Sequence, residues 1–169
     1  QDSHPHRLRD PVRPFARPAW ARCRPATQFY QYDRPTMRIA MMGSGGVGGY
    51  FGGHMAAAGY DVTFIARGKH LQAIREHGLK IASRDMGDVI VNPAKASDRP
   101  EEVGPVDYVI VAVKLWDTQA TGKAILPMLG PETTVLSLQN GVEGDAILAG
   151  IVGTQRLIGG VAFIASSIG

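Results

Sequence analysis

The feature that most constrains this chain is a GxGxxG made by Gly43, Gly45 and Gly48, placed directly after the short apolar run Arg38-Ile-Ala-Met-Met42. A run of that kind, ending in glycine, reads as a buried parallel strand. The residues that follow, 46–58, read as a helix of small side chains closed by Gly59. Each glycine has a task in such a strand–turn–helix. Gly43 permits the tight turn, Gly45 lets a pyrophosphate approach the backbone, and Gly48 lets helix and sheet pack closely. The free N–H groups at the helix start then face the phosphates, and the helix dipole favours their charge. Alone, the motif is also what a ligand-free glycine turn would show; its place inside a βαβ unit of about 30 residues favours the dinucleotide reading.

The rest of the chain keeps this rhythm. Asp61–Ala66 reads as a second strand, Lys69–Glu76 as a short helix, and Leu79–Ser83 and Asp88–Val91 as short strands. A loop follows around Asn92–Pro105. Val106–Val113, the most apolar stretch, reads as a central strand, and Trp116–Leu129 as a helix broken near Pro127. Thr133–Leu138, Val142–Gly150 and Arg156–Ala165 complete the pattern as strand, helix and strand. Alternation of this kind predicts an α/β fold, a Rossmann-type doubly wound, mostly parallel sheet covered on both faces.

Residues 1–36 read as a separate object. Six prolines (Pro5, Pro11, Pro14, Pro18, Pro25 and Pro35) leave no room for a useful helix. The same segment holds seven arginines against three acids, whereas residues 37–169 hold 11 basic and 12 acidic side chains. The net charge of +3 therefore belongs to the leader, and it makes a poor argument for nucleic-acid binding. The expected organisation is a disordered Arg/Pro-rich extension over 1–36 and a folded domain over 37–169. The leader is either a disordered extension or translated sequence upstream of the true start; Met37, opening the first strand, favours the second, and the initial glutamine suggests that the chain's own start has been lost or cut. No apolar run approaches the roughly 18 residues of a membrane span. One cysteine, Cys23, excludes an internal disulfide framework and suits a reducing, cytoplasmic compartment. No metal-ligand spacing is present.

Three strand ends carry the remaining candidates. An NAD site places an acid about 20 residues past the glycines, to bind the ribose hydroxyls. This sequence has Ile65-Ala66-Arg67-Gly68-Lys69 there. A guanidinium can take a 2′-phosphate in bidentate fashion, so Arg67 is the candidate clamp of NADP(H), with Lys69 a second charge or a solvated loop residue. Lys114 follows the strand Val106–Val113, where it either projects into the ligand crevice or lies in a solvated loop. Asn140 can both donate and accept a hydrogen bond, but it is equally a turn residue before Gly141. His54, His70 and His77 read as surface or packing residues, and Trp116 either flanks the cofactor or, as is more common for an aromatic at a helix start, packs.

The segments Met37–Gly48, Ala66-Arg67-Gly68, Val113-Lys-Leu-Trp-Asp-Thr118, Leu138-Gln-Asn-Gly141 and Gly159-Gly-Val-Ala-Phe163 together resemble the ketopantoate reductase family, in order and spacing. The likeness covers essentially all of 37–169. It implies that Gly43, Ser44, Gly45, Gly46, Val47 and Gly48 hold the pyrophosphate of NADP(H) and that Arg67 holds the 2′-phosphate. It also implies that Lys114 and Asn140 line the cofactor site, that Asn140 reaches the 2-keto acid substrate, and that the Ala165 backbone contacts the nicotinamide half. Family members reduce ketopantoate (2-dehydropantoate) to pantoate with NADPH, on the way to pantothenate and coenzyme A. Their proton-donor lysine sits in a helical second domain, which is expected beyond Gly169, so no catalytic residue is expected in this chain. Weak self-association through the surface that domain normally covers is expected too. The alternatives are a stand-alone nucleotide-binding module and a dehydrogenase of another 2-keto acid.

Overall fold

A computed structural model describes residues 36–83, 87–141 and 143–166. Residues 1–35, and with them the reading of the leader and of Cys23, lie outside the described residues. The first strand, β1 (Arg38–Met42), buries four of its five residues. Alternate side chains serve opposite faces, as a strand buried on both sides requires. Ala40 and Met42 join a core with Val109, Val111, Val135 and Leu148, while Ile39 and Met41 join another with Val62, Phe64 and Ile110.

Helix α1 (Gly46–Ala57) follows and buries Gly48, Gly49, Gly52 and Gly53, so much of its packing face is backbone, with Phe51, Met55 and Ala56 packed beside it. It leads into β2 (Asp61–Ile65) and α2 (Gly68–His77). The chain then forms an antiparallel pair, β3 (Leu79–Ile81) with β4 (Val89–Val91), and returns to the main sheet as β5 (Lys95–Ser97). A one-turn helix, α3 (Pro100–Val103), precedes β6 (Val106–Val111). Next come α4 (Thr118–Ala124), β7 (Leu129–Ser137), α5 (Glu143–Val152) and β8 (Leu157–Gly159). The six-stranded sheet has the order β5-β2-β1-β6-β7-β8, and its strand pairs are all parallel. With β3 and β4 set aside as an insertion, that is the 3-2-1-4-5-6 order of the doubly wound dinucleotide-binding fold. Its direction reverses between β1 and β6, which puts the switch point beside Gly43 and the end of β6.

Four expectations need correction. The stretch 92–105 is not a plain loop: Lys95-Ala-Ser97 pairs with Thr63–Ile65 of β2, and the Ala66 N–H donates to the Ser97 carbonyl. β7 begins at Leu129 rather than Thr133, because the Thr133 hydroxyl takes the Gly130 N–H and donates to the Val106 carbonyl where the ladder is irregular. The helix expected from Trp116 begins at Thr118, after a 3-10 turn over Leu115–Asp117, and Trp116 is 81% exposed instead of packed. The strand expected over Arg156–Ala165 is paired only from Leu157 to Gly159. β7 ends at Ser137 and the chain turns toward α5, so among the described residues, 161–166 pair with no strand; Val161 and Phe163 stand 92% and 98% exposed.

Candidate functional site

The glycine loop sits at the carboxyl end of β1, and its shape depends on two missing side chains. Gly43 has φ +89°, and a Cβ there would stand 2.8 Å from Val113 Cγ1 at the end of β6. At Gly48 a Cβ would stand 1.9 Å from the Gly43 carbonyl oxygen, so the first turn of α1 lies directly on the loop that feeds it. Gly45 occupies the cap position of α1 without a side-chain cap, and the first turn carries no acid. The leading N–H groups of this helix thus remain available to an anion. The Ser44 hydroxyl is buried and has no hydrogen-bond partner among the described residues.

From this loop a cleft of about 220 Å³ runs toward the end of β2, lined by Gly43, Ser44, Arg67, His70, Val113 and Asp117 among others. Arg67 is exposed at the cap position of α2, where its carbonyl accepts the Leu71 N–H, and its guanidinium makes no hydrogen bond or ion pair with the described residues. Its guanidinium is uncommitted, as a clamp for an incoming phosphate should be. Lys69 is likewise exposed.

His70 corrects the sequence reading. It lies in the cleft, and its Nε2 donates to the Ser44 carbonyl at 2.8 Å, which ties the start of α2 to the glycine loop. The available signal was its position three residues after Arg67, at the start of the helix. His54 is a packing residue as expected, its ring edge-on to Tyr50 at 4.7 Å, and His77 is exposed. Asp117 went unremarked in the sequence, yet supplies the cleft with a half-buried carboxylate.

The other candidates lie around this cleft rather than in its walls. Lys114 stands between the β6 end and the 3-10 turn and is exposed; the neighbouring walls are Val113 and Asp117. Asn140 is exposed at the end of β7, before Gly141 at φ +87°. Ala165 is exposed, but the next residue returns to the glycine loop: the Ser166 carbonyl oxygen would stand 2.9 Å from a Cβ on Gly46. The segment after β8 is therefore brought back to the start of α1. Among the described residues no cluster of His, Cys, Asp or Glu is placed to hold a metal ion, and no helix is long and apolar enough to cross a membrane.

Residues 39–168 match the family described as ketopantoate reductase PanE/ApbA. The chain is 33% identical over 153 residues to 2-dehydropantoate 2-reductase of Mesorhizobium japonicum, covering 78% of this chain and 46% of that protein. Its fold superposes on the crystal structure of 2-dehydropantoate 2-reductase from Geobacter metallireducens with a TM-score of 0.74 and 38% identity, over 79% of this chain and 44% of that one. It is also similar to a D-mandelate dehydrogenase solved with NADH and anilino(oxo)acetate, at a TM-score of 0.66 and 27% identity, over 74% of this chain and 40% of that one. The chain thus spans less than half the length of each of these relatives.

Proposed function

This chain belongs to the ketopantoate reductase PanE/ApbA family, and we propose that it is the cofactor-binding half of an NADPH-dependent 2-dehydropantoate reductase. The observation that carries the cofactor choice is Arg67, exposed at the end of β2 on the same cleft as the glycine loop, its guanidinium unpaired among the described residues. When bound, NADPH supplies the hydride for a ketone carbon. The chain's own residues bind and orient. Gly43 to Gly48, with Ser44, Gly45, Gly46 and Val47 between them, receive the pyrophosphate on the uncapped start of α1. Arg67 takes the 2′-phosphate. Lys114 and Asn140 line the nicotinamide half, Asn140 also reaches the substrate, and the Ala165 backbone borders the same end. The proton that the forming alkoxide needs is assigned to a lysine of the helical second domain that the resemblance implies, and Lys114 is given a cofactor-lining role only.

A second reading has one specific support, the D-mandelate dehydrogenase structure that contains NADH. In that reading the chain serves another 2-keto acid and prefers NADH. Titrating the chain with NADPH and with NADH separates the two, and assaying oxidation of the reduced nicotinamide with ketopantoate, with a full-length relative as control, tests the placing of the proton donor. The 169-residue chain is expected to bind NADPH and to show no measurable turnover. Robust turnover with ketopantoate would overturn the assignment of the proton donor, and tighter binding of NADH than of NADPH would favour the second reading.

A further inference from the structure

Gln139 lies between the loops that carry Lys114 and Asn140 and has so far had no role. It is 8% exposed, and its side-chain nitrogen donates twice, to the Val113 carbonyl at 3.0 Å and to the Thr118 hydroxyl oxygen at 2.7 Å. Thr118 is fully buried, and its hydroxyl donates to the Leu115 carbonyl at 2.7 Å. One hydroxyl has one proton, so Thr118 must accept from Gln139 while it donates to Leu115. That requirement fixes the orientation of the amide, nitrogen toward the β6 end and oxygen away from it. Carbonyls on both sides of Lys114 are thereby held, Val113 directly and Leu115 through Thr118.

The amide oxygen tells the same story from the other side. It is buried with no hydrogen-bond partner among the described residues. It lies against the first turn of α5, where a Cβ on Gly144 would stand 2.6 Å from it. The partial positive charge of a helix start makes this a tolerable place for an unbonded acceptor. A residue that served only to fill volume would bury an apolar side chain here and strand no oxygen.

We propose that Gln139 is a positioning residue: through Thr118 it fixes the Lys114 loop, and by its place in the chain beside Asn140 it couples the two strand ends into one unit. The inference rests on the reading above, in which Lys114 and Asn140 face the nicotinamide half of the cofactor. Gln139→Met keeps the volume and removes the donors. Thr118→Val breaks the relay to Leu115, and Thr118→Ser preserves it.

Each variant of the full chain is titrated with NADPH and with 2′,5′-ADP, which has a 2′-phosphate but no nicotinamide half. Gln139→Met and Thr118→Val are expected to weaken NADPH binding about tenfold, the scale of one or two lost hydrogen bonds. Affinity for 2′,5′-ADP is expected to hold, and Thr118→Ser to match the unmodified chain. Parallel loss of both ligands in Gln139→Met and Thr118→Val would mean a general role in folding and would overturn the proposal, as would unchanged NADPH affinity in either. An unmodified chain that binds NADPH no more tightly than 2′,5′-ADP contradicts the underlying reading and the proposal with it; that failure is recognisable because it is seen before any substitution.

Discussion

Replacing Gly48 with alanine is expected to lower the melting temperature by roughly 10 °C or more and to remove measurable dinucleotide binding. The new Cβ would stand 1.9 Å from the Gly43 carbonyl oxygen, far inside contact distance, and the obstructing atom is backbone. No rotamer change relieves such a clash. Either α1 retreats from the sheet or the loop after β1 opens. The first option disturbs the packing of α1 on the Phe64 and Met41 side of the sheet. The second moves the backbone groups that would face a pyrophosphate. Overpacking a tight site costs about 1–3 kcal/mol even where side chains can yield, so a backbone clash belongs at or above the upper end. Gly150→Ala is the matched control. That glycine lies in α5 with open space around the added Cβ, and the change is expected to stabilise the helix by up to about 1 kcal/mol. Thermal unfolding followed by circular dichroism reads both, and a Gly48→Ala variant that melts and binds like the unmodified chain would refute the close-approach argument.

Arg67→Ala is expected to weaken NADPH binding by about tenfold or more and to leave NADH nearly unchanged. A charge-assisted hydrogen bond contributes roughly 1.5–3 kcal/mol, and a bidentate pair to a phosphate is of that class. Arg67 is exposed and unpaired among the described residues, so the fold loses little when it is removed. An affinity change in this variant therefore reports the ligand contact and not stability, which an unchanged melting temperature would confirm. Lys69→Ala serves as the comparison for a basic side chain two residues on, in the first turn of α2, with a smaller loss expected. Equal losses for NADPH and NADH in Arg67→Ala would show that the guanidinium does not read the 2′-phosphate.

What was legible in the sequence follows physical lines. β1 and β2 could be read almost to the residue, β1 because a parallel strand buried on both faces is a nearly continuous apolar run and β2 because Val62, Phe64 and Ile65 alternate with Asp61 and Thr63 in a short β-rich stretch. β5 could not: Lys95-Ala-Ser97 has no such run and is a strand only because the open edge of β2 offers it hydrogen bonds. Residues 161–165 misled in the other direction. Their apolar character suggested a strand, but pairing depends on a neighbour, and β7 has already ended. The glycine loop was legible because its tightest constraint is local, a Cβ on Gly48 meeting the Gly43 carbonyl five residues earlier. His70 and Gln139 were not, since their importance lies in bonds to Ser44 and Val113, 26 residues away in both cases. Spacing along a chain says nothing about which distant carbonyl a side chain will meet.

The account stands or falls on the cofactor. Isothermal titration of the unmodified chain with NADPH and with NADH is the direct measurement. Saturable binding of NADPH, at least about tenfold tighter than NADH as one charge-assisted contact demands, is the expected result. Equal affinity for the two, or no binding of either, would contradict the assignment of this cleft as an NADP(H) site.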